Sequence, residues 1–153
     1  MEDYGQRASD KSDMEDSYCL GAQYWARNLH VPGYNPSFGV LLDMVGAPSA
    51  HFCQEGTSTN YAKDVVDHVW RVATEAGCPN FIYENKPGII DDHMYINQIA
   101  KIPVIDIIEF DPANPHGFSR TWHTHQDNLK NISRQTLDCV GQVMLELIYR
   151  EKP

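Results

Sequence analysis

No stretch of this chain stays apolar for the roughly 20 residues that a membrane-spanning helix needs. Basic residues are also scarce. Lysine and arginine number 12 against 21 acids, a formal net charge of −9. A nucleic-acid backbone or an anionic lipid surface therefore finds no basic face to bind. Cysteine is sparse and scattered: Cys19, Cys53, Cys78 and Cys139 form no C-x-x-C pair, which argues against a cysteine zinc site. Cys19 and Cys139 fall in helical patterns, where a small buried thiol is the expected role; spacing leaves disulfides and the redox compartment open. The opening Met1-Glu2-Asp3 leads into a polar stretch, not the basic-then-apolar order of a signal peptide.

What remains is the composition of a soluble globular protein, 42% hydrophobic and 22% charged, in 153 residues, one domain's worth. Residues 1–17 are polar and read as a loop or tail. A helix is expected from Ser17 to Asn28 through Tyr18, Leu20, Ala22, Tyr24 and Trp25, with Ser17 as its N-cap. After a turn-rich segment holding Pro32, Gly33 and Pro36, the run Phe38 to Val45 reads as a strand buried on both faces. Thr57 to Asn60 offer caps for a helix over Tyr61 to Ala76, whose apolar residues recur at helical spacing until Gly77.

A short helix is expected over Asp92 to Ala100 and a second buried strand over Val104 to Ile108. The last helix spans Ser133 to Arg150, with Leu137, Val140, Met144, Leu147 and Ile148 on one face. Strands alternating with helices predict an α/β fold with helices on both sides of the sheet. Two buried strands are few for a self-sufficient sheet, so the chain is expected to be part of a larger domain.

Three places could carry chemistry. Asp43 stands inside an apolar run, near the carboxyl end of its strand, where open α/β sheets gather functional groups. It is also open to a plain role, capping a turn. Asp91-Asp92-His93 precedes a helical stretch. There Asp92 suits an N-cap, Asp91 is freer to face a cavity, and His93 suits a structural hydrogen bond better than a metal. Trp122-His123-Thr124-His125 sets an indole beside imidazoles, the commonest zinc ligands. On an extended backbone His123 and His125 would point the same way, one as a ligand and one as a bystander. Asn131-Ile132-Ser133 matches a glycosylation sequon, but Ser133 reads as the cap of the last helix. Residue types and spacing alone thus reach a candidate metal site in an acidic α/β protein.

Four segments in one order carry a resemblance: Leu41-Leu42-Asp43-Met44-Val45-Gly46-Ala47-Pro48, Asp91-Asp92-His93, Ile102-Pro103-Val104, and Trp122-His123-Thr124 with Asp127-Asn128. Together they resemble glutaminyl-peptide cyclotransferases (glutaminyl cyclases) of the zinc-dependent exopeptidase superfamily, which also holds aminopeptidases. Glu2-Asp3-Tyr4-Gly5 resembles the end of that family's strand with twin acids. The resemblance implies a phosphorylase/hydrolase-like three-layer sandwich with a mixed, mostly parallel sheet, of which this single partial domain (1–153) is the C-terminal part, the N-terminal half missing. Residues 1–17 are then an active-site loop or tail.

By the same resemblance Glu2 takes the place of the general acid/base, and Asp3 and His123 those of zinc ligands, Asp3 with a shorter reach than the family's usual glutamate. Asp43 and Asp91 match acids around the reacting centre. Trp122 matches the indole beside the substrate, and Phe118 lines the same pocket. One zinc ion is implied, with a further aspartate ligand upstream of the twin acids and absent here. The implied substrate is a peptide or protein N-terminus bearing glutamine, cyclised to pyroglutamate with release of ammonia. The implied location is periplasmic or extracellular.

Zinc aminopeptidases of the superfamily are the rival reading, with Asp43 on a second metal. Trp122 before His123 and the Asp91-Asp92 pair favour the cyclase. A third reading is a non-catalytic remnant, and with a ligand absent the chain by itself is expected to be inactive.

Overall fold

The computed structural model describes residues 17–114 and 117–151. Helix α1 (Leu20–Arg27) is followed by β1 (Gly39–Asp43), β2 (Phe52–Gln54), α2 (Gly56–Glu75), β3 (Phe81–Asn85), α3 (Asp92–Ile99), β4 (Val104–Ile108) and α4 (Arg134–Arg150). β1 pairs in parallel with β4 from Gly39↔Val104 to Asp43↔Ile108, and β2 pairs in parallel with β3 from Phe52↔Phe81. An antiparallel bridge between Phe52 and Glu109 joins the two pairs.

The two faces follow from the pleat of β4, on which alternate side chains point to opposite sides. Ile105 and Ile107 enter the main core with Val66, Val69, Trp70 and Ala73 of α2 and Val140, Val143 and Leu147 of α4. Asp106 therefore points the other way, toward α3. That face carries Gly39 and Leu41 of β1 with His93 and Ile96 of α3, around a small cavity of about 200 Å³. Gly39 packs closely: a Cβ there would stand 3.0 Å from Val104 Cγ2, which would have to give way by a few tenths of an ångström.

Helix α2 is pinned at both ends. Glu55 caps it, accepting from the backbone N–H groups of Thr57 and Ser58 at 2.6 Å each. Gly77, at φ +71, closes it in the left-handed conformation, with Gly77 N bonded to Thr74 O and Cys78 N to Ala73 O. Trp70 donates its indole N–H to Ile82 O at 3.0 Å, fixing α2 against β3. α4 starts at the expected Ser133, whose hydroxyl accepts from Thr136 N.

Several expectations are corrected. The strands β2 and β3 were not anticipated: each is short, and β2 abuts the cap of α2. α2 begins at Gly56, a turn ahead of Tyr61, because the cap is Glu55, and Ala62 at φ −142 kinks it. α1 is capped by Cys19 in a left-handed conformation and buries Gln23 and Ala26, while Leu20 and Tyr24 are exposed; Ser17 lies outside it. β1 is half-buried, not buried on both faces, since β4 is its one partner among the described strands. In α4 the buried line is Thr136, Val140, Val143 and Leu147, which leaves Leu137 and Ile148 exposed. Cys139 is no isolated thiol: it forms a disulfide with Cys78, their Cα atoms 5.4 Å apart.

Candidate active site

Asp43 closes β1, and Met44 at φ +51 turns the chain away. Across the same face α3 begins. Its N-cap is Asp91, on extended backbone, with Oδ1 accepting from Asp92 N at 2.6 Å. The sequence favoured Asp92 as the cap; the structure gives that role to Asp91, and Asp92 becomes the first helical residue. The buried thiol of Cys19 lies 3.9 Å from Asp91 Oδ1. Ligand atoms of Cys19, Asp91 and Asp92 all fall within 4.8 Å of one another.

Behind these acids stands Asp106, fully buried on β4, neither carboxyl oxygen having a hydrogen-bond partner among the described residues. Burial above all, and then the charges of Asp91, Asp43, Glu55 and Asp92, push its carboxyl up to about 9. At neutral pH Asp106 keeps its proton. The same field locates Asp43 and Asp91: both lie close enough to act on one buried carboxyl. Asp43 and Asp91, the two acids expected around the reacting centre, thus both bear on the same buried carboxyl.

His93 is no candidate ligand. It is fully buried, its Nε2 3.1 Å from Glu55 Oε2 and its Nδ1 3.9 Å from Asp106 Oδ2. Glu55 itself is fully buried and also accepts from Ile89 N at 2.8 Å. Burial alone would raise the Glu55 carboxyl, but hydrogen bonds from His93, Ser58 and Thr57 outweigh it and hold it at about 2. A charged glutamate, a histidine and a neutral aspartic acid thus form a polar chain beneath the N-terminus of α3. The sequence reading missed Glu55 and Asp106. For Asp106 the signal was present, an acid inside the apolar run Val104 to Ile108, the same sign that singled out Asp43.

The Trp-His segment is a succession of turns, with Trp122 N bonded to Ser119 O and Thr124 N to Thr121 O at 3.0 Å each. His123 sits at φ +57, so the argument from an extended backbone for His123 and His125 does not hold here. The indole of Trp122, 41% exposed, stacks on the His123 ring at 4.0 Å and meets Phe118 at 4.9 Å. A bond from Ser133 N to Gly46 O, 2.8 Å, ties the end of this loop to the segment leaving β1. The expected substrate wall, Trp122 with Phe118, and the expected ligand His123 thus form one aromatic group on a loop anchored to that segment. Glu2 and Asp3 lie outside the described residues.

The family model of peptidase family M28 matches residues 12–148. No curated protein sequence matches the chain. Among solved structures, the chain is similar to a Bacteroides thetaiotaomicron glutaminyl cyclase bound to N-acetylhistamine, with 49% identity and a TM-score of 0.89, over 96% of this chain and 50% of that one. It is similar to a Tannerella forsythia glutaminyl cyclase at 47% identity and TM-score 0.85, over 90% of this chain and 47% of that one. A Zn-dependent exopeptidase from Parabacteroides distasonis matches at 44% identity and TM-score 0.87, over 95% of this chain and 50% of that one. The chain spans about half the length of these solved relatives.

Proposed function

Because the chain belongs to peptidase family M28, we propose that it carries the acid cluster and indole wall of a zinc-dependent glutaminyl-peptide cyclotransferase. The observations that support this most are the charges of Asp43 and Asp91 acting together on the buried Asp106, and an exposed indole suited to a small side chain on a loop tied to the segment leaving β1.

The donor set suits zinc, which takes imidazole nitrogen and carboxylate oxygen. His123 and Asp3 are the residues that would hold it. When bound, zinc supplies Lewis acidity at the side-chain amide carbonyl of an N-terminal glutamine. The chain's own residues do the rest. Trp122 and Phe118 hold the glutamine side chain folded, so that its amide carbon lies near the α-amine. Glu2 accepts the proton of the attacking amine and returns it to departing ammonia. Asp43 and Asp91 keep Glu2 poised by sharing protons with it, and the neutral Asp106 behind them lowers the local negative charge.

Two expected ligands hold zinc weakly, since zinc sites use three or four protein ligands. Turnover by the 153-residue chain is accordingly slow or nil at stoichiometric zinc, and fast cyclisation under that condition would overturn this ligand assignment. The Cys78–Cys139 disulfide supports an exported location, because disulfides persist in oxidising compartments.

The test compares two products at excess zinc: ammonia from a glutaminyl arylamide and arylamine from a leucyl arylamide. Any turnover that excess zinc restores is expected to yield ammonia and no arylamine, and to be abolished in Trp122→Ala. Arylamine as the main product would replace this reading with a zinc exopeptidase, the activity named for the Parabacteroides relative.

A further inference from the structure

A second concavity lies outside the acid cluster. The segments after β1 and β4 and the approach to the Trp-His loop enclose a cleft of about 450 Å³. Glu109 is its most unusual wall. The residue is 8% exposed, and its Oε2 is buried with no hydrogen-bond partner among the described residues. No described cation pairs with it; Arg120 and His51 share the wall, and the hydrogen bond of Arg120 runs from Nη2 to Ala113 O at 3.5 Å. Burial first, and then the Asp111 carboxylate, push the Glu109 carboxyl up to about 7.

An ionised carboxylate without a counter-charge is costly in such a wall. A cation brought by a ligand removes that cost and gains a charge-assisted hydrogen bond. Beside Arg120 and His51, which a basic ligand must avoid, the remaining neighbours suit a basic side chain. Asp111 adds negative charge, Ser49 and Thr121 offer hydroxyl acceptors, and Phe110 with Pro112 offers apolar surface to a methylene stem.

The cleft also adjoins the indole wall. It shares residues 119–121 with the Trp122 loop, and the Phe110 ring lies 6.5 Å from Phe118, which meets Trp122. The cleft is thus continuous with the ring group that holds Trp122.

We propose that this cleft is a subsite for a lysine or arginine side chain of the peptide, with the Glu109 carboxylate as its counter-ion. The placing of the peptide rests on the function proposed above; the affinity for a cation does not.

The test follows the Glu109 carboxyl by carbon-13 NMR of the whole chain, the signal being assigned by its loss in Glu109→Gln. The expected result is a saturable shift with n-butylammonium and none with n-butanol. A glutaminyl-lysine peptide binds about tenfold more tightly than its norleucine analogue, roughly the worth of one charge-assisted hydrogen bond. That ratio falls close to one in Glu109→Gln. An unmoved Glu109 signal, or equal affinity of the two peptides for the unsubstituted chain, overturns the proposal. Ammonium binding without binding of either peptide supports the cation site and sinks the cyclotransferase reading instead.

Discussion

The carboxyl of Asp106 sits out of reach of water, 3.9 Å from His93 and in the field of three further aspartates and Glu55, and it pays for that position in pH dependence. Unfolded, it ionises near the ordinary 3.8; folded, it does so near 9. Between those values the unfolded chain has released a proton that the folded chain keeps, so stability falls as pH rises through the window. Glu55 acts in the opposite sense. Its stabilisation is present above the ordinary 4.5 and is lost as pH falls toward 2. Urea unfolding midpoints are therefore expected to be highest on the acidic side of neutrality. Asp106→Asn is expected to flatten the alkaline limb, with a gain of several kcal/mol at high pH relative to low pH. An alkaline limb unchanged in that variant would mean that Asp106 is ionised in the fold.

Two helix caps show how much an element depends on where its N-terminus is set. Ser133 caps α4 with one bond to Thr136 N near the surface, and Ser133→Ala is expected to cost about 1 kcal/mol. Glu55 caps α2 from full burial. It serves Thr57 N, Ser58 N, Ile89 N and His93, so it also fixes the segment entering α3, whose first residue follows Asp91. Glu55→Ala leaves several buried donors without an acceptor and is expected to cost more, about 2–4 kcal/mol. Chemical denaturation of the two variants side by side checks this; equal losses would remove the case for Glu55 as an organiser of the site.

Over the whole molecule, the core is shared by α2, α4 and the β4 face bearing Ile105 and Ile107. The disulfide from Cys78 to Cys139 fastens α4 to the chain leaving α2 across 61 residues. Closing a loop of that size restricts the unfolded chain, and a Cys78→Ser, Cys139→Ser double variant is expected to lose about 2–4 kcal/mol. Reductant is expected to lower the melting temperature of the original chain and to leave the double variant unchanged. If reductant has no effect on the original chain, the two sulfurs are not bonded in solution. The sheet is less covered at β1, which is half-buried: Leu42, the register partner of the core residue Ile107, is 44% exposed, although the run of Phe38 to Val45 is as apolar as a doubly buried strand.

Periodicity and end signals alone determined the core helices and the two longest apolar runs, because a helix repeat over Val66 to Ala73 and a run such as Val104 to Ile108 are local patterns. The family's motif order likewise marked Asp43, Asp91, Trp122 and His123. Only the tertiary structure decided the rest. β2 and β3 exist through pairing with each other, and at three and five residues they carry too little pattern to be read in isolation. Glu55, His93 and Asp106 are 38 and 13 residues apart along the chain, and their burial together is what charges one acid and neutralises the other. No residue type or spacing encodes that, because desolvation and the field of distant carboxylates arise when the chain folds.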